Sequence, residues 1–76
     1  MFSLYLYNLN YKIKAKWLKY ELIKLISRYV KSYKIRISRK MPGQAFVDFE
    51  NKKDMKKLKN ILEDLLFLNR PIKITI

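Results

Sequence analysis

The chain of 76 residues contains no cysteine, no histidine, a single glycine, two prolines and only six acidic residues. Without cysteine it has no disulfide, no thiolate metal site and no thiol redox chemistry. Without histidine it also lacks the commonest general base, and one glycine cannot build a phosphate-binding glycine loop. The six acids show no paired spacing of the kind that a two-carboxylate site needs. We therefore expect no enzyme activity, cofactor, metal or small-molecule substrate.

Long apolar runs are missing too. No segment approaches the roughly 20 residues of a membrane span, and Asn8 interrupts the N-terminal stretch too early for a signal peptide. Neither predicted helix combines a wholly exposed apolar face with a basic one, so no membrane partner is expected. Half of the residues are nevertheless hydrophobic (50%), which suits one modest core. The sequence predicts a single intracellular domain spanning residues 1–76.

The composition has a large excess of basic over acidic residues. Eighteen lysines and arginines oppose six acids, which gives a net charge of +12 and a pI near 10.1. Such an excess on a small folded domain indicates a polyanionic partner, nucleic acid before an anionic membrane. A lysine-rich source proteome would explain part of the same excess.

The hydrophobic pattern switches between the strand and helix periods along the chain. Alternation predicts strands over residues 2–8, 33–38, 42–49 and 72–76. The helical period predicts helices over 15–30 and from an Asn51 cap, with Asp54 as its capping partner, to about residue 65. The order β-α-β-β-α-β predicts an α+β, ferredoxin-like fold, in which both helices cover one face of a four-stranded antiparallel sheet.

The strand over 42–49 indicates what the open face of this sheet could bind. Its odd-numbered positions 45–49 are apolar, whereas Gln44, Phe46 and Asp48 are expected to face water. One exposed aromatic is ordinary on a protein surface. Aromatics from two strands distant in sequence, meeting inside a cationic rim, instead indicate a surface on which nucleobases stack. That surface would comprise Tyr5, Tyr7, Gln44 and Phe46, rimmed by Arg36 and Lys73.

Two aromatics of the first helix fall outside its apolar stripe. Trp17 and Tyr20 are three residues apart and therefore neighbours on the helix surface. They could flank the stripe and lie half-buried on the edge of the sheet. They could equally anchor a protein partner, as Trp and Tyr commonly do.

The pattern as a whole resembles the RNA-recognition motif family. Residues 4–9 resemble its RNP-2 hexamer and residues 42–49 its RNP-1 octamer, and the resemblance covers the whole chain. Within the family, residues 8–10, 12–14, 40–41 and 43–47 look most like the spliceosomal proteins A of the U1 snRNP and B-double-prime of the U2 snRNP. Gln44 is the most informative residue, because most members have an aromatic there. The sequence departs from this subfamily at Pro42, where a cation is usual, and in a shorter basic loop.

The resemblance implies a nuclear, RNA-binding subunit of a spliceosomal snRNP that acts in pre-mRNA splicing and binds a small nuclear RNA hairpin loop, U2 favoured over U1. Rings would stack on bases, Asn8 would read a base edge, and loop lysines would meet the RNA backbone. Trp17 and Tyr20 would dock a leucine-rich-repeat, A-prime-like protein. The alternative is an RRM-fold protein-interaction module that docks a partner through the first helix and binds little RNA. The implied RNA contacts are Tyr5, Tyr7, Asn8, Asn10, Lys12, Lys14, Arg36, Arg39, Lys40, Gln44, Phe46 and Lys73.

Overall fold

A computed structural model describes all 76 residues and contains two helices and six strands. Four strands form one antiparallel sheet in the order β2-β3-β1-β6, and β4 pairs with β5 in a separate hairpin. The predicted α+β fold is confirmed, with this hairpin added before the last strand. The elements are β1 (Phe2–Tyr7), α1 (Ala15–Ile26), β2 (Tyr33–Arg36), β3 (Ala45–Phe49), α2 (Lys52–Leu62), β4 (Leu66–Phe67), β5 (Arg70–Pro71) and β6 (Lys73–Thr75).

The inner face of the sheet and the two helices enclose one hydrophobic core of 16 buried residues. The strand register aligns the inward side chains in rows across the sheet: Leu4 lies opposite Val47, and Leu6 lies between Ala45 and Ile74. Because the side chains of a strand alternate, the same register sends every second residue to the open face. The helices cover the inner rows with Leu18, Leu22 and Ile26 from α1 and Met55, Leu58 and Leu62 from α2.

Helix α1 is shorter than its apolar stripe predicts. It ends at Ile26, and the Ser27 hydroxyl donates a 2.6 Å hydrogen bond to the carbonyl of Ile23. Such side-chain bonding to the backbone competes with regular helix continuation. Tyr29, which the predicted helix over 15–30 included, lies beyond this end and is exposed. Helix α2 begins as predicted, because Asn51 Oδ1 accepts a 2.8 Å bond from the Asp54 N–H.

The hairpin of β4 and β5 is an element that the sequence pattern did not predict. Its two central residues, Leu68 and Asn69, both have positive φ (51° and 69°), as a type I′ turn requires. Leucine is uncommon in this conformation, and here it packs against the core. The sequence pattern assigned no element between the second helix, which it ended at about residue 65, and the strand over 72–76, and β4 and β5 occupy this interval.

Gly43 connects the loop before β3 to the loop after β1 at one end of the sheet. Its φ is +77°, and its carbonyl accepts a 3.0 Å bond from the Leu9 N–H. A Cβ at this position would lie 3.0 Å from the Leu9 carbonyl oxygen, so the backbones approach closely only because the residue is glycine. As a result β3 begins at Ala45 and not at residue 42. Neither helix has the length and apolar character needed to cross a membrane.

Candidate nucleic-acid interface

Three aromatic rings form a row on the open face of the sheet. Tyr5 of β1 lies directly opposite Phe46 of β3 in the strand register, and their ring centroids are 5.1 Å apart. Tyr7 stacks on Tyr5 from the same strand at 5.5 Å, with 20° between the ring planes. These are ordinary aromatic contact distances. Tyr7 is exposed, and Tyr5 and Phe46 are half-buried. The structure therefore brings together residues 41 positions apart in the sequence.

Arg36 extends this row onto strand β2. Its guanidinium lies 4.9 Å from the Phe46 ring centroid. Two hydrogen bonds to Asp48 hold it there, Nε to Oδ2 at 2.7 Å and Nη2 to Oδ1 at 3.0 Å. We call Tyr7, Tyr5, Phe46 and Arg36 the planar row. A guanidinium held in place in this way can itself stack on a base.

Asp48 corrects one expectation from the sequence. It lies on the open face, but its exposed fraction is only 5%, because Arg36 and the Ser3 hydroxyl cover it. The hydrogen bonds from Arg36 lower the pKa of its carboxyl; burial opposes this shift, and the Ser3 bond (2.5 Å) reinforces it. The same pairing raises the pKa of Arg36. Asp48 therefore acts as the anchor of Arg36 and not as a solvated acid.

Lys73, the other predicted rim cation, is also paired. Its Nζ bonds the Asp64 carboxylate, and this bond raises the pKa of Lys73. Both cations flanking the aromatic rings thus have a carboxylate partner. Their net contribution to attracting phosphate is smaller than the sequence alone indicates.

The two asparagines predicted to contact RNA are engaged within the protein. Asn8 donates from Nδ2 to the Pro71 carbonyl at 2.9 Å and accepts from Arg70 at 2.9 Å. Asn10 donates to the Leu68 carbonyl at 3.1 Å and accepts from the Lys12 N–H at 3.0 Å. Both amides fasten the hairpin and the first loop, so a base edge would have to displace these bonds.

Four cations predicted to contact phosphate lie in two loops at one end of the sheet. Because β1 and β3 are antiparallel, the loop after β1 and the loop before β3 emerge side by side. A tight turn, in which Met41 N–H donates to the Ser38 carbonyl at 3.2 Å, shapes the second loop. No carboxylate lies within ion-pair distance of the predicted phosphate contacts Lys12, Lys14, Arg39 and Lys40.

A groove of about 540 Å³ runs beside the aromatic rings and contains two residues that the sequence interpretation missed. Arg70 reaches it from β5 and lies 5.6 Å from the ring centroid of Tyr11, which comes from the first loop. Only the unpredicted hairpin brings Arg70 to this position. Gln44 lines the same groove, and its Oε1 is buried without a hydrogen-bond partner. Since the terminal torsion of glutamine is broad, the amide can turn towards a ligand in the groove.

Trp17 and Tyr20 lie on the outer surface of α1. Their exposed fractions are 56% and 53%, and their rings meet edge to face at 6.4 Å. Neither ring belongs to the core. Their exposure favours the surface role over packing against the sheet.

Comparison with known proteins accords with this geometry. The sequence profile described as "RNA recognition motif" matches residues 4–73, which is nearly the whole chain. The chain belongs to the RNA recognition motif (RRM) family. No curated protein sequence matches it.

Solved structures of other RRMs and RNA-binding proteins superpose on this RRM over almost its full length. RNA-binding protein PG1 is 25% identical with a TM-score of 0.68, covering 99% of this chain and 92% of that one. The RRM domain of S. pombe Puf1 is 19% identical with a TM-score of 0.75, covering 99% and 95%. The second RRM domain of the yeast poly(U)-binding protein Pub1 is 18% identical with a TM-score of 0.73, covering 99% and 92%. The last two show the fold alone.

The lowered pKa of Asp48 predicts that its stabilisation depends on pH. A carboxyl whose pKa is lower in the folded state stabilises the fold fully above its ordinary pKa, and the effect is lost as the pH falls through the lowered value. Asp48→Asn should therefore unfold at lower urea concentration than the wild type at neutral pH, and the difference should close in acid. Urea titrations across the pH range measure this, with the exposed Glu50→Gln as control. Equal stability at neutral pH would contradict a stabilising pair.

The pairing of Arg36 also predicts how RNA affinity will depend on salt. Each phosphate contact made by a free lysine contributes about one unit to the slope of log affinity against log salt. Replacing Lys40 by Gln should reduce the slope by about this amount. The neutral pair Arg36→Gln/Asp48→Asn should weaken binding without changing the slope, because the wild-type pair carries no net charge. An equal loss of slope in both variants would show that Arg36 contacts phosphate.

Proposed function

We propose that this RRM binds single-stranded RNA on the open face of its sheet. The planar row carries the proposal: consecutive centroid separations of 5.5, 5.1 and 4.9 Å place four flat groups side by side. Bases in a duplex are already stacked on one another, so such a surface favours unpaired nucleotides. Gln44 lies beside the row, and its Oε1 has no hydrogen-bond partner within the protein, so the amide can turn to meet a base edge.

The arrangement of charge supports the same proposal. Arg36 and Lys73, which flank the rings, are paired with carboxylates, whereas the predicted phosphate contacts in the two adjoining loops are not. Stacking and phosphate binding are therefore assigned to different parts of the surface. A strand laid across the row would place its backbone near Lys12, Lys14, Arg39 and Lys40.

Removing a central ring should weaken RNA binding without unfolding the domain. Phe46→Ala should lose roughly 1–3 kcal/mol of affinity, the usual cost of one base stack. Fluorescence anisotropy with a labelled single-stranded RNA pool measures the change, and circular dichroism checks the fold. Tyr29→Ala is the matched control, because it removes an exposed aromatic that follows α1 and lies outside the planar row. Equal affinity of both variants and the wild type would contradict the proposal.

At a finer level, we propose that the RNA is the loop of a small nuclear RNA hairpin and that the protein is a nuclear subunit of a spliceosomal snRNP, with U2 favoured over U1. The resemblance at residues 8–14 and at Gln44 supports this. The cluster of free cations at one end of the sheet also suits a hairpin, because a closing stem concentrates phosphates next to the unpaired loop. The similar structures described above are other RRMs, so this level rests on the sequence resemblance and the charge arrangement.

A protein partner at α1 is the second candidate function. The exposed, edge-to-face pair of Trp17 and Tyr20 supports it, since such aromatics anchor protein interfaces. A leucine-rich-repeat protein of the A-prime type is the partner that the spliceosomal resemblance implies. This RRM would then act with that partner in RNA selection, or as an interaction module with little RNA binding of its own.

Purification from cells should separate these roles. Tagged wild-type protein should recover a small nuclear RNA, identified by sequencing, together with a leucine-rich-repeat protein. Phe46→Ala should lose the RNA but retain the protein, and Tyr20→Ala should do the reverse. Ribonuclease treatment shows whether the protein is held directly. Recovery of other RNA classes would contradict the spliceosomal assignment, and a partner lost equally from every variant would contradict docking at α1.

A further inference from the structure

A second cavity, of about 650 Å³, lies behind the loop end of the sheet, between residues 11–18 and residues 37–43. It is outside the planar row, although the predicted phosphate contacts Lys14 and Arg39 also line it. Its volume is within the range of roughly 300–1,000 Å³ that is typical of small-molecule sites. The cavity is therefore large enough to hold a small molecule or one nucleotide.

Half of the residues that line this cavity are hydrophobic. Ile13, Leu18 and Ile37 line it and belong to the core or pack against it. Tyr11 and Trp17 also line it, with exposed fractions of 57% and 56%. These two exposed rings, next to the apolar side chains, provide flat surfaces on which a base can stack.

The charges around the cavity are all positive. Lys14, Lys16 and Arg39 line it, and no carboxylate does. None of the three forms an ion pair, and the ammonium of Lys16 lies 5.9 Å from the Trp17 ring centroid. An apolar aromatic wall with unpaired cations beside it complements a base linked to a phosphate.

The cavity adjoins the groove on the sheet. Tyr11, Pro42 and Gly43 line both of them. These shared residues form a divide between the two spaces. At this divide a 3.0 Å hydrogen bond from the Leu9 N–H to the Gly43 carbonyl connects the two loops. A strand leaving the planar row next to Tyr7 reaches the cavity by crossing the divide.

We propose that this cavity binds a nucleotide of the same RNA strand, one that flanks the segment stacked on the planar row. The inference rests on the proposed RNA binding and extends it: Trp17 stacks on the flanking base, and Lys16 meets its phosphate. The chain thus recognises more unpaired RNA than its sheet face can hold.

The single tryptophan makes the proposal directly testable, because Trp17 is itself part of the cavity wall. Oligo(U) and oligo(A) are first tested at a length of four nucleotides, because the planar row has four members. They should bind without changing tryptophan fluorescence. Oligomers of ten nucleotides should bind more tightly and quench it. Unchanged fluorescence with a ten-nucleotide RNA that binds would overturn the inference and leave Trp17 to a protein partner.

Two lysines of α1 provide a matched pair of variants. Lys16→Gln should weaken the ten-nucleotide complex by about two- to fivefold, the effect of one exposed ion pair, and leave the four-nucleotide complex unchanged. Lys19→Gln, one turn along the helix and outside the cavity, should change neither. Equal effects of the two substitutions on the long oligomer would overturn the inference.

Phe46→Ala separates this inference from the proposed function. Loss of four-nucleotide binding in that variant supports stacking on the sheet, whatever happens at Trp17. If neither length binds the wild type, or if Phe46→Ala binds both as the wild type does, the proposed function fails and the inference with it.

Discussion

The antiparallel pairing of β1 with β3 is the constraint on which the surface depends. It places Tyr5 directly opposite Phe46 and, at the same time, Leu4 opposite Val47 beneath the sheet. A slip of one residue would move the rings into the core and the core residues into water. The hydrophobic effect that buries Leu4 and Val47 therefore also fixes the position of the rings. Stability and the candidate site depend on the same register, although they use opposite faces of the strands.

Ion pairing divides the open face into two chemically different regions. Asp48 neutralises Arg36, and Asp64 neutralises Lys73, so the cations nearest the rings are held in place and their charge is offset. The cations of the two adjoining loops have no such partner. Because unpaired charge attracts phosphate over a distance, whereas stacking acts only in contact, the loops attract the backbone and the planar row binds the bases. This division also explains why a positively charged domain retains carboxylates on its binding face.

The alternation in β1 and β3 was sufficient to predict from the sequence which residues share a face, and the Asn51 cap followed from local chemistry. Features set by tertiary contacts could not be predicted in this way. At the end of α1 the Ser27 hydroxyl bonds the Ile23 carbonyl, and the hairpin places Leu68 in a backbone conformation that its residue type disfavours. The burial of Asp48 and the engagement of Asn8 follow from partners 12 and 62 residues away in sequence. Periodicity carries no information on such pairs.

The net charge of +12 explains attraction to RNA but not selection among RNAs. Lysines also cover the outer face of α2, on the side of the molecule opposite the planar row, where they can attract any polyanion. Selectivity therefore has to come from groups that act at contact distance, and these are concentrated on the open face.

The planar row accepts any base, since every base has a flat face. The groups that can distinguish one base from another are the Gln44 amide, whose oxygen lacks a partner, and the asparagine amides, whose partners would have to be displaced. Gln44 can make such a contact at lower energetic cost, because no existing hydrogen bond of its oxygen is lost.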